Sequence, residues 1–226
     1  MAIAIDALGA GITWDNEQNK TWLHTASGTN RYVVTTVAHA QGATNYSSSQ
    51  TYDSVALVAL TQQVNGITLG EIWGLAAPNT GSGLTVAVNM AQGGHYGIGN
   101  SASFTEVAQT GSSDAPETFN ITTTTSDSQA FTSANGDAVV SVVSLDLGGS
   151  NSVTTGNAIM TGTGGLGFGG PSAYALSTGA TSTLAYSWSN SVSGVHTGVN
   201  LNQAAAGGAT GYGRLLGGAR NTRVMA

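Results

Sequence analysis

The feature that most constrains this chain is a recurring rhythm. Runs of five to ten residues rich in β-branched and aromatic side chains alternate with clusters of Gly, Asn, Ser and Thr. "RYVVTTVAHA", residues 31–40, is the clearest run. Its period of two puts Tyr32, Val34, Thr36 and Ala38 on one side and Val33, Thr35, Val37 and His39 on the other. "KTWLHT" precedes it with Trp22 and His24 on one face. "SVALVALTQQ" and "GITLGEIWGLAA" follow, joined at Asn65-Gly66, a hairpin signal. Pro78 and "NTGSG" interrupt the chain before "LTVAVNM" resumes it.

The second half repeats the rhythm in "SASFTEVAQT", "ETFNITTTT", "DAVVSVVSLDL", "PSAYALS", "STLAYSWSN" and "SGVHTGVNLNQ". Ten to twelve short strands with no helix between them are expected, with "LTVAVNM" and "DAVVSVVSLDL" as buried central strands. Composition agrees. Charged residues are only 7% of the chain and glycines number 33, so the Lys- and Glu-rich faces that cover helices are missing. The fold class is all-β, an antiparallel β-sandwich of jelly-roll-like type. Residues 1–204 form the domain, and 205–226 form a glycine-rich, basic C-terminal arm. Three of the five cationic side chains, Arg214, Arg220 and Arg223, lie in that arm.

A net charge of −6 argues against nucleic acid and anionic membrane surfaces as partners, since both require a basic face. No apolar run is long enough for a transmembrane helix. The start "MAIAIDALGAGITW" lacks a basic n-region and carries Asp6, unlike a signal peptide. The absence of cysteine removes disulfides, thiolate zinc sites and cysteine nucleophiles.

No catalytic, metal or cofactor motif stands out. The histidines at 24, 39, 95 and 196 form neither HExxH nor HxH. His24 and His39 read as hydrogen-bonded strand residues. Asp15, Asn16, Glu17 and Asn19 lack the spacing of a calcium loop and read as a solvated turn. Asp114 and Glu117 are not paired by sequence as a glycosidase acid and base. "GTGGLG" at 162–167 matches GxGxxG, but Phe168-Gly-Gly-Pro171 cannot open the helix that a dinucleotide site needs. Trp14, Trp22, Trp73 and Trp188 read as packing residues. Tyr46, Tyr52, His95, Tyr96 and Tyr174 are the candidates for a ligand-binding loop, with a glycan as the ligand class.

"NRYVVTTVAHA", "YDSVALVAL", "EIWGLAAPNTGSGLTVAV", "SASFTEVAQT", "NGDAVVSVVS" and "LAYSWSNSVSGVHTGVNL" resemble, in pattern and order, a family of β-sandwich domains of about 200 residues. That family recurs in bacteriophage structural proteins and bacterial surface proteins. The resemblance covers residues 1–204 and implies an attachment or display module without catalytic residues. It leads to the expectation of a virion structural protein of capsid-decoration or head-fibre type, made in a host cytoplasm. Its partners would be a capsid or other virion protein and further copies of itself, trimers being common among such modules. The arm residues Arg214, Leu215, Leu216, Arg220, Arg223, Val224 and Met225 would make the contact, guanidinium groups pairing with shell carboxylates. The alternative is a carbohydrate-binding or adhesin module of a phage tail or bacterial surface assembly.

Overall fold

A computed structural model describes residues 1–40, 47–91, 96–147, 149–162 and 168–205. The candidates Tyr46 and His95, residues 163–167 of the glycine-rich match, and all seven arm residues lie outside the described residues.

Sixteen strands and no helix occur among the described residues, more strands than the spacing suggested. The first sheet runs in the order β1 (Ala4–Leu8), β10 (Tyr96–Thr105), β4 (Tyr32–Ala40), β8 (Thr68–Ala76) and β7 (Val58–Asn65), with β2 (Ile12–Asp15) also on β10. The second is smaller: β3 (Asn19–Ala26), β9 (Gly81–Met90), β5 (Ser47–Tyr52) and β6 (Val55–Ala56). The third joins β11 (Glu117–Thr132), β16 (Thr181–Leu201), β12 (Ala138–Leu145), β15 (Ser172–Leu176) and β14 (Asn157–Met160), with β13 (Asn151–Thr155) on β16. Every pairing is antiparallel. The expected all-β antiparallel sandwich is therefore observed, built from three sheets.

The period-two pattern explains the layering. All nine residues of β4 are buried. Val34 and Ala38 meet Val140, Val142, Val199 and Leu201 of the third sheet, whereas Val33 and Val37 meet Trp22, Tyr52, Val86 and Val88 of the second. The first sheet is thus the middle layer, and β4 runs through its centre. In the third sheet β12 is buried along its whole length and serves the same purpose. Its Val140 and Val142 face the first sheet, and its Val139 and Val143 face Leu184, Tyr186 and Trp188.

That last contact exists because β11 and β16 bend. The register of their pairing shifts between Ile121 and Ser126, and past the shift Ser126–Thr132 pair with Thr181–Ser187. Such bulges turn a strand sharply, and here they fold the outer half of the β11–β16 pair back across β12. "LTVAVNM", by contrast, alternates between buried and partly exposed positions on β9, because the second sheet is an outer layer.

Two glycines show local sequence at work. Gly66 takes φ +61° in the two-residue turn between β7 and β8, where a glycine avoids strain. Gly97 lies under the Trp14 indole, in space that any side chain would take from the ring.

Candidate functional site

Three buried polar networks stand out in the described chain: the first and third join two sheets, and the second joins the folded-over halves of the third sheet. In the first, Glu71 on β8 has no exposed surface. Its Oε1 accepts from the Ser47 amide (2.7 Å) and His39 Nε2 (3.3 Å), and its Oε2 from Trp73 Nε1 (3.0 Å) and Gln50 Nε2 (3.3 Å). Burial raises the Glu71 pKa, but the donors and His39 outweigh it, and the carboxyl is held below its ordinary value.

In the second network, His196 Nδ1 lies 2.6 Å from Asp127 Oδ2 and Nε2 lies 3.1 Å from Ser141 Oγ, which is 2.6 Å from the Tyr186 hydroxyl. An Asp-His-Ser order of this kind can activate a serine where a substrate reaches it. Here Ser141 and His196 have no exposed surface, and Phe119, Phe131 and Tyr186 rings surround the imidazole. What the trio does in this fold is fasten the folded-back outer strands to β12. Burial lowers the His196 pKa against the opposing pull of Asp127, and burial likewise raises that of the Tyr186 hydroxyl.

The third network joins the first two sheets. Trp22 Nε1 donates to Ser101 Oγ (2.9 Å), which lies 3.0 Å from His24 Nδ1. The other ring nitrogen of His24, Nε2, is buried without a hydrogen-bond partner among the described residues, and burial pushes the imidazole down to about 4. His24, His39 and His196 are thus all buried strand residues with hydrogen-bonding partners, as the sequence suggests for the first two.

The loop candidates need correction. Tyr52 is fully buried on β5 within the core between the first two sheets, and Tyr174 is buried on β15, edge-on to Phe104. Neither is on a loop, so neither ring offers a face to a ligand. Tyr96 opens β10 and is half-buried. All four tryptophans are buried, at 8% exposure or less.

Glu17 pairs with Lys20 in the turn at 15–19, and no group of His, Asp and Glu side chains among the described residues can hold a metal ion. Asp114 and Glu117 make separate contacts. Asp114 accepts from the Asn200 and Asn202 side chains at 2.9 Å, and Glu117 from the Thr132 amide at 2.7 Å.

Sequence reasoning missed the lock at the end of β16. Asn200 Nδ2 reaches Asp114 Oδ2 and Asp137 Oδ2, both at 2.9 Å, while the Asp137 carboxylate also accepts from the Gln203 amide (2.9 Å). These partners are 63 and 86 residues from Asn200, so no local motif signals them. Two open clefts accompany the networks. One, of about 510 Å³, lies between Gly11–Thr13, Asn100 and Ile159–Thr161; the other, of about 430 Å³, lies between Val58, Leu60, Leu75 and Gly111–Ser113. No protein-family model matches the chain, and no curated protein sequence does.

Proposed function

We propose that the chain is a virion structural protein of capsid-decoration or head-fibre type, a display module attached to its shell through residues 205–226. The observation that carries this reading is the separation of charge along the chain. All eleven carboxylates lie among residues 1–205, with Lys20 and Arg31 as the cations there, whereas the final 22 residues hold Arg214, Arg220 and Arg223 and no acid. A body of one sign with a short arm of the other is suited to an oriented contact, because guanidinium pairs with carboxylate in a fixed, two-pronged geometry. The burial of His24, Ser141 and His196 favours a scaffold over a reaction centre. On this reading the body is a jelly-roll-like module that works as a homo-oligomer on the particle.

Deletion of residues 205–226 tests the proposal. The shortened protein is expected to keep its circular dichroism spectrum and melting temperature while losing co-sedimentation with its particle. Undiminished co-sedimentation would sink the reading. An array of glycans probed with the intact protein addresses the carbohydrate-binding alternative. Binding lost on replacing Tyr46 or Tyr96 would favour it.

A further inference from the structure

The second cleft lies where the described chain ends. Val58, Leu60, Gly74 and Ala76 line it together with Gly111–Ser113 and with Tyr32, whose hydroxyl is bonded to Ser112. Gly74 lies directly beneath the Tyr32 ring, which leaves no room for a side chain there. The outer lip is apolar and open: Val58 is 65% exposed, on the edge strand of the first sheet.

The wall at 111–113 is hydrogen-bonded to the departing chain. The Asn202 amide donates to the Ser112 carbonyl and Asn202 Nδ2 to the Gly111 carbonyl, both at 2.9 Å. Ala204 then donates to the Glu106 carbonyl at 2.7 Å. Beyond it the sequence reads Ala-Ala-Gly-Gly-Ala-Thr-Gly and then Tyr212-Gly-Arg-Leu-Leu216. Ten residues past Ala205 span up to about 33 Å when extended, ample to reach a groove beside the exit. The exposed Asp114 carboxylate directly follows the groove residue Ser113.

We propose that residues 212–216 of the same chain occupy this groove, with Leu215 and Leu216 against Val58, Leu60 and Ala76 and Arg214 facing Asp114. Three features select that occupant: two leucines for an aliphatic slot, one cation for the adjacent carboxylate, and a tether that starts at the groove wall. A short covalent tether gives an effective concentration in roughly the millimolar range, which favours the chain's own segment over that of a second copy. The proposal does not rest on attachment to a shell.

Limited trypsin digestion of the intact protein, read by mass spectrometry, tests it without any particle. Arg214, Arg220 and Arg223 provide three cleavage sites in one segment. Cleavage after Arg214 is expected to be at least tenfold slower than after Arg220 and Arg223. Val58→Asp, at an exposed position, and the double substitution Leu215→Ser with Leu216→Ser, outside the described body, should each bring Arg214 up to the rate of the other two. Equal rates at the three sites in the unaltered protein overturn the proposal, as does protection that persists in both variants. Protection that grows with protein concentration, together with a dimer mass by light scattering, overturns the same-chain assignment.

Discussion

Replacing Glu71 by Gln separates the donor set from the volume of the side chain. The carboxylate serves four donors, two on each oxygen, all within 3.3 Å. Glutamine keeps the shape but turns one acceptor oxygen into an NH2 group. Whichever way the amide is placed, two donors then face a third donor: the Ser47 amide and His39 Nε2, or Trp73 Nε1 and Gln50 Nε2. A buried donor left without an acceptor costs about 1–3 kcal/mol, so the pair should cost about 2–6 kcal/mol. For a protein of this size that is a fall of about 10 °C in melting temperature. Thermal and urea melts at pH 7 measure it directly. The folded Glu71 pKa lies below its ordinary value of 4.5, so its contribution is complete above that value and is lost as pH falls through the folded one. The gap between the two proteins should therefore narrow in acid. A Glu71→Gln protein within about 0.5 kcal/mol of the parent at pH 7 would refute the view that these four contacts are made together.

Other perturbations have equally definite outcomes. His24 stays neutral in the fold down to about 4, against 6.5 for a free imidazole, so the unfolded chain takes up a proton that the folded one refuses. Stability should fall by up to about 3 kcal/mol between pH 6.5 and pH 4; urea melts across that range should show a shallower slope for His24→Gln. Gly97→Ala forces a methyl into the Trp14 ring and should cost about 1–3 kcal/mol or more with a shift in tryptophan emission. Gly66→Ala meets no atom within 4 Å and is strained only by its φ of +61°, so about 1 kcal/mol is expected in the same melts.

The sequence was most readable where one residue decides the local geometry. Asn65-Gly66 marked a real hairpin, and the valines of "DAVVSVVSLDL" marked a strand buried on both faces. Periodicity says which residues share a face, but not whether another sheet covers it. That is why "LTVAVNM" resembled a central strand and proved half-covered. Tyr52 was misplaced for a related reason: its neighbours Ser47 and Gln50 look like loop residues, yet they are buried, and Gln50 is hydrogen-bonded across layers to Thr35 and Glu71. Tyr174 lies in "PSAYALS", a real strand, and periodicity did not show that the first sheet covers it, with Ser172 meeting Thr36. The networks around Glu71 and His196 were illegible because their members come from distant strands; 32 residues separate His39 from Glu71, and 69 separate Asp127 from His196.

Those networks also answer a difficulty posed by the valine-rich strands. A slip of two residues in the middle of β4 or β12 keeps every side chain on its face and mostly exchanges one valine, threonine or serine for another, so apolar burial discriminates weakly among registers there. Polar contacts do not tolerate the slip. Thr36 meets Ser172 at 2.8 Å, Ser144 meets the His39 carbonyl at 3.1 Å, and Ser141 meets both His196 and Tyr186. A shift of two residues would strand each of these buried groups, at about 1–3 kcal/mol apiece. In a chain with no cysteine and few surface charges, the buried histidines, serines and carboxylates are the groups that make one register better than its neighbours. Their hydrogen bonds hold the sheets in one alignment.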